Sequence, residues 1–209
     1  MQNQFTKAMV FRHACKVFDE TKKISDEEIR YILEAGRTSP SSFGMEAWKF
    51  LVISNEELKA KLRPSCWNQV QVTSCSHLVV VLAGIESVKP SSGIPQKRFA
   101  RRPLSSEQID TYVELYANHL AYTLDTDEHI YAWTARQCYI AASNMMTAGA
   151  FIGIDSCPIE GFEKDKLEDI LGLDTSKYQV ALVLSFGYRV NEQSEQLRLD
   201  FDEVVEFIK

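Results

Sequence analysis

The chain has 209 residues, 45% of them hydrophobic and 25% charged, with 11 Phe, 8 Tyr and 3 Trp. That composition excludes a disordered protein, and the length suits a single domain over 1–209 with a sizeable core. A net charge of -6 argues against nucleic acid as a partner. The longest strongly apolar stretch, Leu78–Ala83, falls far short of the roughly 20 residues that span a membrane.

In chain order, the N-terminal residues Lys7 and Arg12 precede no apolar run, so no secretory leader is visible and a cytoplasmic protein is expected. Residues 25–38 predict a helix. Ser25 and Glu28 make a capping box, Ile29, Ile32, Leu33 and Gly36 share one face, and Pro40 discourages continuation. Phe50–Ile53 predicts a strand leading to a short helix capped by Ser54 with Glu57. Leu78–Leu82 is a continuous apolar run of the kind found in a central strand covered on both faces, and Val180–Leu184, closed by Gly187, is its counterpart.

Residues 86–104 break the pattern with Pro90, Gly93, Pro95 and Pro103 among Lys97, Arg98, Arg101 and Arg102, so a mobile loop is expected, either a lid or a solvated connector. Helices follow at about 107–125 and 128–150. The second is apolar almost all round after Gln137, so it is expected to be a buried central helix or a subunit interface. Its Gln137 and Asn144 then need partners, because an unpaired buried amide costs about 1–3 kcal/mol. The C-terminal arm, about 188–209, is charged and then ends in Phe201, Val204, Val205, Phe207 and Ile208, an apolar tail expected to dock on something. The mixture predicts an α+β fold with helices on both faces of a sheet.

The usual catalytic motifs are missing. Cys15 lies beside basic residues with His13 two positions away, which keeps a cysteine-centred redox or hydrolytic enzyme as an alternative, but no third orienting group accompanies them. Ser41 and Ser42 lack the G-x-S-x-G elbow, and neither G-x-G-x-x-G nor a P-loop occurs. Five cysteines without C-x-x-C spacing and four scattered histidines form no disulfide framework or zinc pattern. Three polar signatures remain: Arg12-His13-x-x-Lys16, Ser39-Pro40-Ser41-Ser42 with Trp48, and Pro158-Ile159-Glu160-Gly161-Phe162. Fixed positive charge, hydroxyls on a turn and a backbone edge suit a flat, hydrogen-bonding ring that carries a phosphate. Arg12 and Arg198 have the planar fork that grips such a group.

Along nearly its whole length the chain resembles the FMN-dependent nitroreductase family. Residues 12–19 are similar to that family's N-terminal signature, which implies Arg12 at the FMN phosphate and Lys16 near the flavin ring, with His13 between them. Thr38–Ser42, with Pro40, Ser41 and Ser42 at its centre, is similar to a signature that contacts the flavin from the other subunit. Asn68 falls at a position that meets the pyrimidine edge, and Gln137 at one near the cofactor. Pro158, Ile159, Glu160 and Gly161 match a segment whose backbone lies along the ring, and Arg198 matches a phosphate-binding arginine.

The resemblance implies a three-layer sandwich with a mostly antiparallel sheet and a C-terminal arm exchanged in a homodimer. It also implies ping-pong reduction of nitroaromatics, quinones or related small acceptors by NADH or NADPH. A flavin-binding sensor or store without turnover is the alternative it leaves. The family often has serine at Ala14 and lysine at Gln71 and Gln196. The cysteines at 15, 138 and 157 look most like the metronidazole-activating branch of the epsilonproteobacteria.

Overall fold

In the computed structural model, which describes residues 2–209, four strands form one antiparallel sheet. These are β1 (Trp48–Ile53), β2 (His77–Gly84), β3 (Asp155–Ile159) and β4 (Tyr178–Gly187), in the order β1-β2-β4-β3. Central β2 pairs Phe50 with Val81 on one side and Val80 with Val183 on the other. Val81 pairs with Leu182 and Leu82 with Val180, so Ala181 is an extra residue that kinks β4.

The period-2 alternation of β2 sends its side chains into two separate cores. Leu78, Val80 and Leu82 pack with Leu62 of α3 (Glu56–Leu62), Val72 of α4 (Gln71–Ser74) and Leu167 of α8 (Lys164–Leu171). Val79, Val81 and Ala83 pack with Ile29 and Ile32 of α2 (Asp26–Arg37) and with Cys138, Ala142 and Met145 of α7 (Asp127–Phe151). The result is the expected α+β three-layer sandwich. A third core joins Phe99 of α5 (Ile94–Phe99) to Tyr116 and Leu120 of α6 (Ser106–Thr123) and to Ile130 and Trp133 of α7. No helix among the described residues is long and apolar enough to cross a membrane.

The capping box of α2 forms as its residues predict, with Ser25 accepting from the Glu28 amide and Glu28 from the Ser25 amide. The other cap needs correcting: Asn55, not Ser54, accepts the Leu58 amide at 2.7 Å, and α3 starts one residue later. Residues 86–104 are also corrected, from a loop to short helical pieces at Glu86–Val88, Pro90–Ser92 and α5, with Val88, Pro95 and Phe99 buried. Pro90 and Pro95 sit in the first turn of a helix, where a missing N–H costs nothing, so here proline starts structure. The apolar tail forms only the four-residue α9 (Phe201–Val204) and lies exposed on this chain, with Ile208 93% accessible.

One buried charge ties the two ends of the chain to the sheet. Asp155 opens β3 at 4% exposure. Its carboxylate accepts the Arg189 amide at 2.9 Å, Nε at 2.7 Å and Nη2 at 2.6 Å, and His13 Nδ1 lies 3.7 Å away. Arg189 also donates to the Phe11 carbonyl at 3.3 Å and stacks 4.2 Å from that ring, at the end of α1 (Gln2–Phe11). Removing one partner of such a pair leaves the other buried and uncompensated. Arg189→Met is therefore expected to cost about 3 kcal/mol in urea unfolding. Adding Asp155→Asn should recover part of that loss, and a double variant as unstable as the sum of the two singles would refute the pairing.

Candidate flavin site

The first signature leaves α1 and runs along the outer edge of β3. Ala14 bridges Ser156 in parallel, and the Cys15 amide donates to the Ser156 carbonyl at 3.1 Å. Phe18 anchors the far end: a Cβ on Gly187 would sit 2.7 Å from its ring, so only glycine allows this close approach. Between these anchors Cys15 faces inward and Lys16 outward.

Arg12, His13 and Arg198 line one cleft of about 420 Å³, together with residues 194–197. A smaller cleft of about 140 Å³ shares His13 and Ala14 and extends to Lys16. Gln196 is what brings Arg198 here. Its amide donates to the carbonyls of Met9, Val10 and Arg12 at 2.5–3.2 Å, and Gln193 donates to Val10 at 2.7 Å. The last carbonyls of a helix have no partner within it, and these amides supply one. Gln196 thus fastens the arm to α1.

Lys16 and Gln71 converge on Cys157, whose sulfur lies 3.6 Å from the ammonium and 3.9 Å from the carboxamide. Gln71 is 3% exposed and also donates to Gln69 Oε1 at 2.8 Å. Gln69 in turn donates to the Gly161 carbonyl at 2.9 Å. Trp67 and Asn68 both adopt the left-handed conformation (φ 52 and 56), with the Asn68 amide bonded to the Arg63 carbonyl. The Trp67 ring is 66% exposed and lies so close to Gly161 that a Cβ there would be 2.6 Å from it. Lys16, Asn68, Gln71 and Pro158–Gly161 therefore form one neighbourhood at the end of the sheet.

A second neighbourhood holds Pro40, Ser41, Ser42 and Gln137. Gln137 Oε1 accepts the Ser42 amide at 2.8 Å and Asn144 donates to Ser39 Oγ at 2.8 Å, so both amides of α7 find partners, although the helix is not buried all round: Gln137 is half-buried and Asn144 exposed. Two residues beyond Gln137, the Tyr139 phenol donates to the Glu160 carboxylate at 2.7 Å, and burial followed by that bond raises its pKa. Two residues of α7 thus touch both neighbourhoods.

Cys15 does not suit a nucleophile. It is 3% exposed, its thiol donates to the Val17 carbonyl, and burial, reinforced by the charge of Asp155, pushes its pKa up to about 11. Cys157 is also raised by burial, with Lys16 opposing the shift. All five cysteines are buried and free.

Trp67, Gln69, Tyr139, Asp155 and Arg189 were not among the residues singled out from sequence. Only the buried Asp155 had a signal, a lone acid opening an otherwise apolar segment.

Comparison with known proteins gives the chain's family and fold. Residues 9–188 match the nitroreductase family. A Haemophilus influenzae protein, provisionally named NAD(P)H nitroreductase, is 40% identical over 94% of this chain and 93% of its own length. A Staphylococcus epidermidis protein with the same kind of name is 38% identical over 100% and 99%. Among solved structures, a provisionally named nitroreductase of Exiguobacterium sibiricum in complex with FMN superposes with a TM-score of 0.81 at 27% identity, covering 97% of this chain and 96% of that one. A nitroreductase-like protein of Streptococcus mutans, at 18% identity over the full length of both chains, shares the fold with a TM-score of 0.89. The chain belongs to the nitroreductase family.

Proposed function

We propose that this protein is an FMN-dependent NAD(P)H oxidoreductase that reduces nitroaromatics, quinones or related small acceptors in a ping-pong cycle. The observation that carries this reading is the shared cleft of Arg12 and Arg198, which continues past His13 to Lys16. Two guanidiniums suit a phosphate monoester, and an ammonium beside a backbone edge suits an electron-rich ring. The donor set fits FMN.

In this reading Arg12 and Arg198 hold the phosphate, with His13 at the wall between phosphate and ring. Asn68, Gln71 and the Pro158–Gly161 backbone meet the ring edge. FMN, when bound, supplies the two-electron chemistry, taking hydride from NAD(P)H and passing it to the acceptor. The part left to the chain is electrostatic: Lys16 is a fixed positive charge, held near Cys157, that favours the reduced, negative form of the ring over the oxidised one. Gln71 contributes only an amide dipole where a lysine would add a second charge.

Pro40, Ser41, Ser42 and Gln137 would reach the flavin from a second copy of the chain. This is supported by their separate neighbourhood and by the exposed tail, in which Leu197, Leu199, Phe201, Val204, Phe207 and Ile208 are left uncovered on one copy. The arm at about 188–209 would wrap the partner.

Purified protein should be yellow, and anaerobic NADPH should bleach it. A colourless protein that takes up no added FMN would end this reading, and a yellow one that does not bleach would make it a sensor or store. Arg198→Ala is expected to weaken FMN affinity by about tenfold or more, the weight of one charge-assisted hydrogen bond, as read by equilibrium dialysis. Sedimentation should give a dimer whose mass holds on dilution. A monomer at every concentration would remove the second copy from the site.

A further inference from the structure

The turn that carries Ser41 and Ser42 is strained and is held from outside. Phe43, Gly44 and Glu46 all take positive φ, at 55, 66 and 46 degrees, and two of the three are not glycine. Such residues persist in the left-handed region only where their surroundings over-determine them. Inside the turn, Ser41 Oγ accepts the Glu46 amide at 2.9 Å and Gln137 accepts the Ser42 amide at 2.8 Å.

The outer restraints come from the basic stretch that follows α5. Arg102 Nη2 donates to the Phe43 carbonyl at 2.9 Å, while its guanidinium lies 5.1 Å from the ring centres of both Phe99 and Tyr112. Arg101 forks onto the Glu46 carboxylate at 2.9 and 3.2 Å and reaches the Gly44 carbonyl at 3.4 Å. The Phe43 ring is wedged against Tyr116 and His119 of α6, at 5.2 and 5.4 Å between centroids. Both guanidiniums are therefore engaged on the turn, in contrast to a basic patch left free for a nucleotide phosphate.

We propose that Arg101 and Arg102 are positioning residues of the flavin site, clamping the Ser41–Glu46 turn in the one shape that presents Ser41 and Ser42. Arg102 carries most of the effect, because its planar fork both stacks between two rings and donates to a carbonyl. Arg101 carries less, since its ion pair with Glu46 is half-exposed and screened. Lysine at 102 keeps the charge and loses the fork. This inference rests on the FMN reading above.

The test is the FMN dissociation constant of the full-length apoprotein, measured by flavin fluorescence quenching, alongside the urea midpoint of the same samples. Arg102→Met should weaken FMN by about tenfold, with Arg102→Lys recovering less than half of the loss in free energy. Arg101→Gln and Glu46→Gln should each cost about twofold to fivefold, and the double variant no more than either single. Lys97→Met, on an exposed side chain of the preceding helix α5, should change nothing. If Arg102→Met does not fold, the Arg101 and Glu46 cycle decides the matter alone. Folded variants that bind FMN as wild type does overturn the clamp. So does a rise in KM for NADPH but not NADH at unchanged FMN affinity, which would make these arginines captors of the 2′-phosphate. Wild-type apoprotein that takes up no FMN would instead defeat the functional reading itself.

Discussion

The site depends on one buried carboxylate. Asp155 begins the edge strand, and its charge is compensated almost entirely by Arg189, which itself reaches back to the end of α1. Three stretches distant in sequence are thereby fixed to one another: the Arg12–Lys16 segment, β3 with its Pro158–Gly161 extension, and the start of the C-terminal arm. The arrangement is costly in isolation, since a carboxylate loses several kcal/mol on leaving water and regains it only through close pairing. What it provides is register. Arg12 and Arg198, 186 positions apart, face one cleft because Asp155, Arg189, Gln193 and Gln196 leave the arm only one path across the carbonyl end of α1.

The helix α7 does the corresponding work for the rest of the site. It packs on α2 and the sheet, and from that rigid base Gln137 holds the Ser42 amide while Tyr139 holds the Glu160 carboxylate. Sites built on regular elements are more sharply defined than sites on loops, and here two loops borrow their definition from two residues of one packed helix. The serine turn and the Pro158–Gly161 edge are nonetheless bonded within separate neighbourhoods of a single copy. That division, with a tail whose apolar residues find no cover on their own chain, is the physical case for a second copy.

Legibility in the sequence followed how local each interaction was. The Ser25–Glu28 box, the α2 face and the Leu78–Leu82 strand depend on spacing over a few residues, and the structure repeats them. That Gln137 and Asn144 bond to something was readable from their place on an apolar helix, although the partners, Ser42 and Ser39, were not, and Asn144 is exposed. Ser54 was mistaken for the cap because Asn55 offers the same chemistry one residue later. The 86–104 stretch misled because proline and glycine mark turns and helix starts alike, and only the burial of Val88 and Phe99 separates the two. Trp67 against Gly161, Tyr139 on Glu160 and Arg102 on Phe43 join residues from 21 to 94 positions apart, with no periodicity to announce them.

Gln196 and Gln71 illustrate what a carboxamide does where a lysine would bring a charge. At the cleft of Arg12 and Arg198 the Gln196 amide closes the end of α1 and thereby places Arg198, through an interaction that salt cannot screen as it would an exposed ion pair. Gln71 makes the opposite bargain. Buried at 3% exposure and bonded to Gln69, it suits its surroundings better than a desolvated ammonium would, and it leaves Lys16 as the only cation on Cys157 among the described residues. Structural order at that edge is therefore gained at the expense of a second positive charge there, and the balance between the two belongs to the residues around Cys157.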